Sequence, residues 1–169
     1  MFLAGWQIWG LPAHALVVHV AVVLIPIAAL CMLVTGWRPV WRRRYAGVIA
    51  ALAAIGAVAA FVAAQSGESL QHSIQQTARA TGAQVRFGDH PEDGQLAEIS
   101  AAVFAVLAAS VFALERWRPR VSVPSWAPIA VYVVTAVSGL AALIGMVAAG
   151  HSGATLVWKD LGTFVHARS

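Results

Sequence analysis

Residues 12–35 read PAHALVVHVAVVLIPIAALCMLVT, a run with no Asp, Glu, Lys or Arg. Crossing the roughly 30 Å hydrocarbon core of a bilayer takes about 20 mainly apolar residues in a helix. This stretch meets that demand and decides the fold class. Pro12 suits a first helical turn, where its missing N–H costs nothing, and Pro26 predicts a kink midway. Residues 1–11 lack the basic start of a secretory signal, so the segment reads as a retained helix.

Three further segments repeat the pattern: Tyr45 to Ala64, Leu96 to Leu114 and Ala127 to Ala149. The only formal charge within them is Glu98, at the start of the third. Over the whole chain 60% of the 169 residues are hydrophobic and 11% are charged. Soluble domains hold about 45–50% and about 25% respectively, so a water-soluble fold is excluded. The expectation is a single all-α domain, an integral membrane four-helix bundle with up-down topology.

Charge sets the orientation. Arg38, Arg42, Arg43 and Arg44 lie between the first two segments, and Arg116, Arg118 and Arg120 lie between the last two. These are seven of the eleven Lys and Arg residues. The positive-inside rule makes that side cytoplasmic. Both termini and the loop 65–95 then face outward, across the plasma membrane. Trp37, Trp41, Trp117 and Trp126 flank the basic loops, and Trp6, Trp9 and Trp158 fall at the opposite boundary, where amphipathic rings belong. Net charge is +4, but the basic residues cluster between apolar runs, so nucleic acid is not the expected partner. The lone Cys31 cannot form an intrachain disulfide.

Small residues recur every four positions, Ala46, Ala50, Ala54 and Gly56, Ala60, Ala64 in segment two and Ala141, Gly145, Ala149 in segment four. Such stripes let helices approach closely in lipid. Within the outer loop, GESLQHSIQQTARATGAQV (67–85) places Leu70, Ile74 and Ala78 at helical spacing and predicts a short interfacial helix.

All six histidines fall in the outer half. His14 and His19 open the first helix, His72 is in the loop, His90 opens the third helix, His151 closes the fourth and His166 is in the tail. His166 reads as solvated and His72 as an exposed helix face. Ionisable groups at membrane depth mark functional sites, and His19, His90 and His151 reach a similar height from three helices. His14 and His19 differ by about 140° around a helix, so they do not share a face. Imidazole ligates zinc, copper and iron, and is the axial ligand of b-type haem. His19 and His151 are the pair expected to hold a cofactor, with His14 and His90 as further ligands. Hydrogen-bonded packing is the structural alternative for each.

Four segments together resemble one family. LPAHALVVHVAVVLIP (11–26), SGESL (66–70), HPEDGQLAE (90–98) and GHSGATLVWKDLG (150–162) are similar, in order, to elements of the bacterial membrane proteins grouped as domain of unknown function 2231. The resemblance implies a four-helix membrane fold and a polar signature on His14, His19, Glu68, His90 and His151. Ala15, Val20, Ala21 and Ala154 depart from the family pattern.

Three functions fit these residues. The first is a b-type haem or transition-metal protein in electron transfer, confined to the outer side because the inner half has no histidine. The second is metal handling, with His14, His19, Glu68, His90 and His151 binding Cu, Zn or Fe. The third is a non-catalytic accessory subunit, the partners being lipid and other membrane or respiratory subunits, or further copies of the chain. No nucleophile constellation, phosphate loop or general acid–base pair points to an enzyme.

Overall fold

The computed structural model describes residues 7–8, 11–82, 85–117 and 124–166, with side chains described within 14–82, 85–117 and 124–158. Trp6, Trp9, Arg118 and Arg120, and the side chain of His166, lie outside them. Two extended pairs, β1 (Gln7–Ile8) and β2 (Leu11–Pro12), form a minimal antiparallel ladder. Leu11 precedes a proline, which biases it to extended backbone. Four helices follow: α1 (Ala13–Thr35), α2 (Pro39–Thr81), α3 (His90–Trp117) and α4 (Ala127–His166). All four are long and apolar enough to cross a membrane.

The helix ends differ from the sequence reading. The outer segment 65–95 is mostly not a loop: α2 continues unbroken to Thr81, and α3 starts at His90. The hydroxyls of Ser66, Ser69, Ser73, Thr77 and Thr81 each bond a carbonyl three or four residues back, so these polar side chains are satisfied within the helix. Gly82 then ends α2 in the left-handed conformation, φ 71°, with its N–H on the Arg79 carbonyl. Hydropathy thus marked where α2 leaves the apolar zone, not where it stops. Its 43 residues span about 64 Å, twice the hydrocarbon thickness. For the same reason α4 runs past Ala149 through Gly150 and Gly153. At the other end of α2, Arg38 is extended and Pro39 occupies the first turn, which needs no N–H.

Each helix packs on the next, and α4 returns to α1. The contacts that join them set large side chains on glycines: Ile25 meets Gly56, Phe112 meets Gly47, and Phe104 meets Gly139. The core is built from small residues around Ile25, Met32 and Phe104, all almost fully buried. On α2 the buried positions are Ala46, Ile49, Ala50, Ala53, Gly56, Ala59, Ala60, Ala63 and Ser66. These recur every three or four residues, as one face of a helix does. A strict spacing of four drifts by about 40° per step, which is why Ala54 and Ala141, expected in the packing stripes, are exposed.

The outward faces are apolar: Val20, Val23, Ile27, Leu30 and Val34 on α1, and Val133, Val137, Leu140, Ile144 and Val147 on α4. A surface this apolar is stable only against lipid. Inside, Thr135 is fully buried and its hydroxyl donates to the Val131 carbonyl at 2.7 Å. A bilayer supplies no water, so buried polar atoms must find partners within the protein.

Candidate functional site

At the end of the bundle remote from Arg38, Arg42, Arg43, Arg44 and Arg116, all four helices contribute to one polar contact. His14, in the first turn of α1, turns toward α2, and its Nδ1 donates to the Ala63 carbonyl at 2.7 Å. His90, the first residue of α3, reaches α4, where its Nδ1 lies 3.2 Å from Ser152 Oγ. The two imidazoles meet edge to face, with centroids 6.3 Å apart and planes at 81°. Both rings are half-buried.

Two glycines make room for them. A Cβ on Gly67 of α2 would stand 3.0 Å from His14 Nδ1, and one on Gly153 of α4 would stand 2.9 Å from His90 Cε1. Each ring therefore lies directly on a neighbouring helix backbone. From His14 to Thr35, α1 rises about 31 Å, the thickness of the hydrocarbon core. The pair thus sits at the boundary opposite the arginine loop.

The hydrogen bonds assign the ring protons. A carbonyl only accepts, so Nδ1 of neutral His14 carries the proton and Nε2 keeps a lone pair. Ser152 Oγ reaches the Ala149 carbonyl at 3.3 Å, and donation there leaves the oxygen able to accept from Nδ1–H of His90. In that tautomer Nε2 is the remaining nitrogen of His90. Two anchored imidazoles in edge-to-face contact form the chemically distinctive feature of this end.

The other residues singled out from the sequence stand elsewhere. His19 is exposed on the outward side of α1, and its Nδ1 bonds the Ala15 carbonyl one turn back at 2.5 Å. That bond satisfies one ring nitrogen within the helix itself. His151 and Glu68 stand beside the inward positions Ser152 and Gly67; His151 is exposed and Glu68 lies one step around α2 from the ring contact. So it is His14 and His90, expected as further ligands, whose rings meet, and not the expected leading pair His19 and His151. Among the described residues, no group of three or more His, Cys, Asp or Glu side chains is placed to hold a metal ion.

Sequence reasoning missed Ser152, the Ala63 carbonyl and Gly67, and it set Gly153 beside His151 rather than against the His90 ring. Counting in steps of three and four from Ala46 along α2 leads to Ala63 and Gly67, and that signal was available.

The match to known families covers this whole arrangement: the family described as "predicted membrane protein (DUF2231)" fits residues 10–165. The chain belongs to this family. No curated protein and no solved structure matches it. The membrane-crossing parts of all four helices of this DUF2231 member, and all residues of the two-histidine contact, fall inside the matched span.

Proposed function

We propose that this DUF2231 protein binds a first-row transition-metal ion, copper, zinc or iron, through Nε2 of His14 and of His90. The supporting observation is the anchoring of both Nδ1–H groups, on the Ala63 carbonyl and on Ser152 Oγ. Ligand histidines almost always donate their second nitrogen to such a partner, which fixes the tautomer and aims the ring. Two nitrogens leave coordination positions for water or an exchangeable ligand, as a site that takes up and passes on an ion requires. Electron transfer across the bilayer would need a second centre, and the arginine end has no histidine. Metal handling is therefore favoured over a redox relay. The glycine contacts weigh against a b-type haem, since both rings already rest on helix backbone where the macrocycle would extend.

The purified protein tests this by elemental analysis alongside its absorption spectrum. The expected result is a stoichiometric transition metal without a Soret band. A Soret band would transfer the site to haem, and absence of both would overturn metal and haem alike.

We infer too that the bundle is up-down in the plasma membrane, with the histidine pair and both termini outside. The arginine distribution supports this orientation. Cysteines introduced at exposed Arg44 and His72 check it. An impermeant maleimide added to intact cells should label His72→Cys and spare Arg44→Cys, and the opposite pattern would invert the topology.

A further inference from the structure

The arginine end of the bundle carries a second feature. A groove of about 420 Å³ runs between the end of α1 and the first turns of α4, with Leu33, Ile129, Val133, Val137 and Leu140 among its walls. From Ile129 to Leu140 it follows α4 for about 16 Å, half the hydrocarbon thickness and so the depth of one leaflet. Its walls are apolar, and Val133, Val137 and Leu140 are open to the lipid side.

Arg42 lines the same groove. Its guanidinium lies over the ring of Tyr132 at 5.3 Å, and the Tyr132 hydroxyl is held by the Met32 carbonyl and Thr35. Nε of Arg42 is buried without a hydrogen-bond partner. The nearest carboxylate oxygen, on Glu115, is 3.9 Å away, too long for a hydrogen bond, and Glu115 also pairs with Arg43 at 3.4 Å. One carboxylate thus serves Arg42 and Arg43, while Arg38, Arg44 and Arg116 add further positive charge at this end. Beside them Trp37 is 87% exposed, as an interfacial anchor would be.

We propose that this groove is a binding site for one anionic phospholipid. An acyl chain lies along α4 between Leu33 and Leu140, and the phosphate meets Arg42 and the neighbouring arginines. Basic pockets between membrane helices recognise acidic headgroups by this combination of charge and apolar depth. A second copy of the chain is the poorer occupant, because it would bring its own arginines against these.

Native mass spectrometry of the detergent-solubilised full chain tests the site, with phosphatidylglycerol and phosphatidylcholine added in equal amounts. One phosphatidylglycerol should be retained, at least about tenfold over phosphatidylcholine. Val133→Trp, which fills the groove from a lipid-exposed position, should abolish that retention, and Arg42→Gln should remove the preference for the anionic lipid. Arg42 also contacts Glu115 and Tyr132, so the tryptophan variant keeps the test valid if the glutamine variant misfolds. Equal retention of both lipids, undiminished phosphatidylglycerol binding by Val133→Trp, or a lipid-free dimer through this face would overturn the proposal.

Discussion

His14→Ala and His90→Ala should each strip the bound metal, with affinity falling more than about 100-fold, because each removes one of only two nitrogen donors. Loss of an outer partner alone typically costs about 10–100-fold. Ser152→Ala should fall in that range, since it frees the His90 ring to rotate without removing its Nε2. His19→Ala and His151→Ala should retain metal, because both side chains are exposed and apart from the pair. Competition titration against a chelator of known affinity, on protein shown to be helical by circular dichroism, reads all five variants. Full metal retention by His14→Ala and His90→Ala, with loss in His19→Ala or His151→Ala, would return the site to the pair favoured by height along the helix.

That contrast marks what the sequence conveyed. Four apolar runs announced four membrane helices, because lipid exposure demands continuous apolar length. The end of the bundle that carries the site was legible too, but His19, and not His14, was read as level with His90 and His151. Azimuth was not legible. His151 and Glu68 carry the eye-catching polarity, yet each lies about 100° around its helix from the inward residue beside it, Ser152 or Gly67. His19 stands about 140° from His14, and its depth made it look costly unless partnered across the bundle. Its bond to the Ala15 carbonyl supplies a local partner instead. Which way α1 faces was written in its apolar residues by size: Ala21, Ile25, Ala28 and Met32 turn inward in line with His14, while Val23, Ile27 and Leu30 turn to lipid. In a membrane protein both faces are apolar, so the contrast between a polar and an apolar side, which orients a soluble helix, is nearly silent. Small against large is the remaining signal, and an alanine-rich chain blurs it. Helix ends were illegible for a related reason. Leaving the membrane changes the solvent but does not break a helix, and α2 continues outward with its Ser and Thr hydroxyls bonded back to the preceding turn.

Leucine at Gly56 or Gly139 should open the bundle. A Cβ at Gly56 would already lie 2.8 Å from Ile25 Cδ1, and one at Gly139 would lie 2.8 Å from Phe104 Cε2. Ile25 and Phe104 are both 0% exposed, so neither ring nor branch has space to retreat into. Overpacking a well-filled core typically costs about 1–3 kcal/mol, and a leucine with its further atoms belongs at or above the top of that range. In water, hydrophobic burial would oppose separation of the helices. In a bilayer the lipid tails are as apolar as the core, so close packing is itself the main force holding the helices together. Leucine at Gly94 or Gly150, where nothing lies within 4 Å of the added Cβ, provides the control and should raise stability by up to about 1 kcal/mol, the helix-propensity gain of losing a glycine. Unfolding in mixed micelles of increasing denaturing-detergent fraction would rank the four variants. Gly56→Leu should also lose metal, because α1 must hold its register on α2 for His14 to reach the Ala63 carbonyl. Gly139→Leu acts on the α3–α4 contact that places His90 against Ser152, and the same loss is expected there. Equal stability of Gly56→Leu and Gly150→Leu would mean that helix contact at Gly56 does not set the packing, and the small-residue account of this bundle would fall with it.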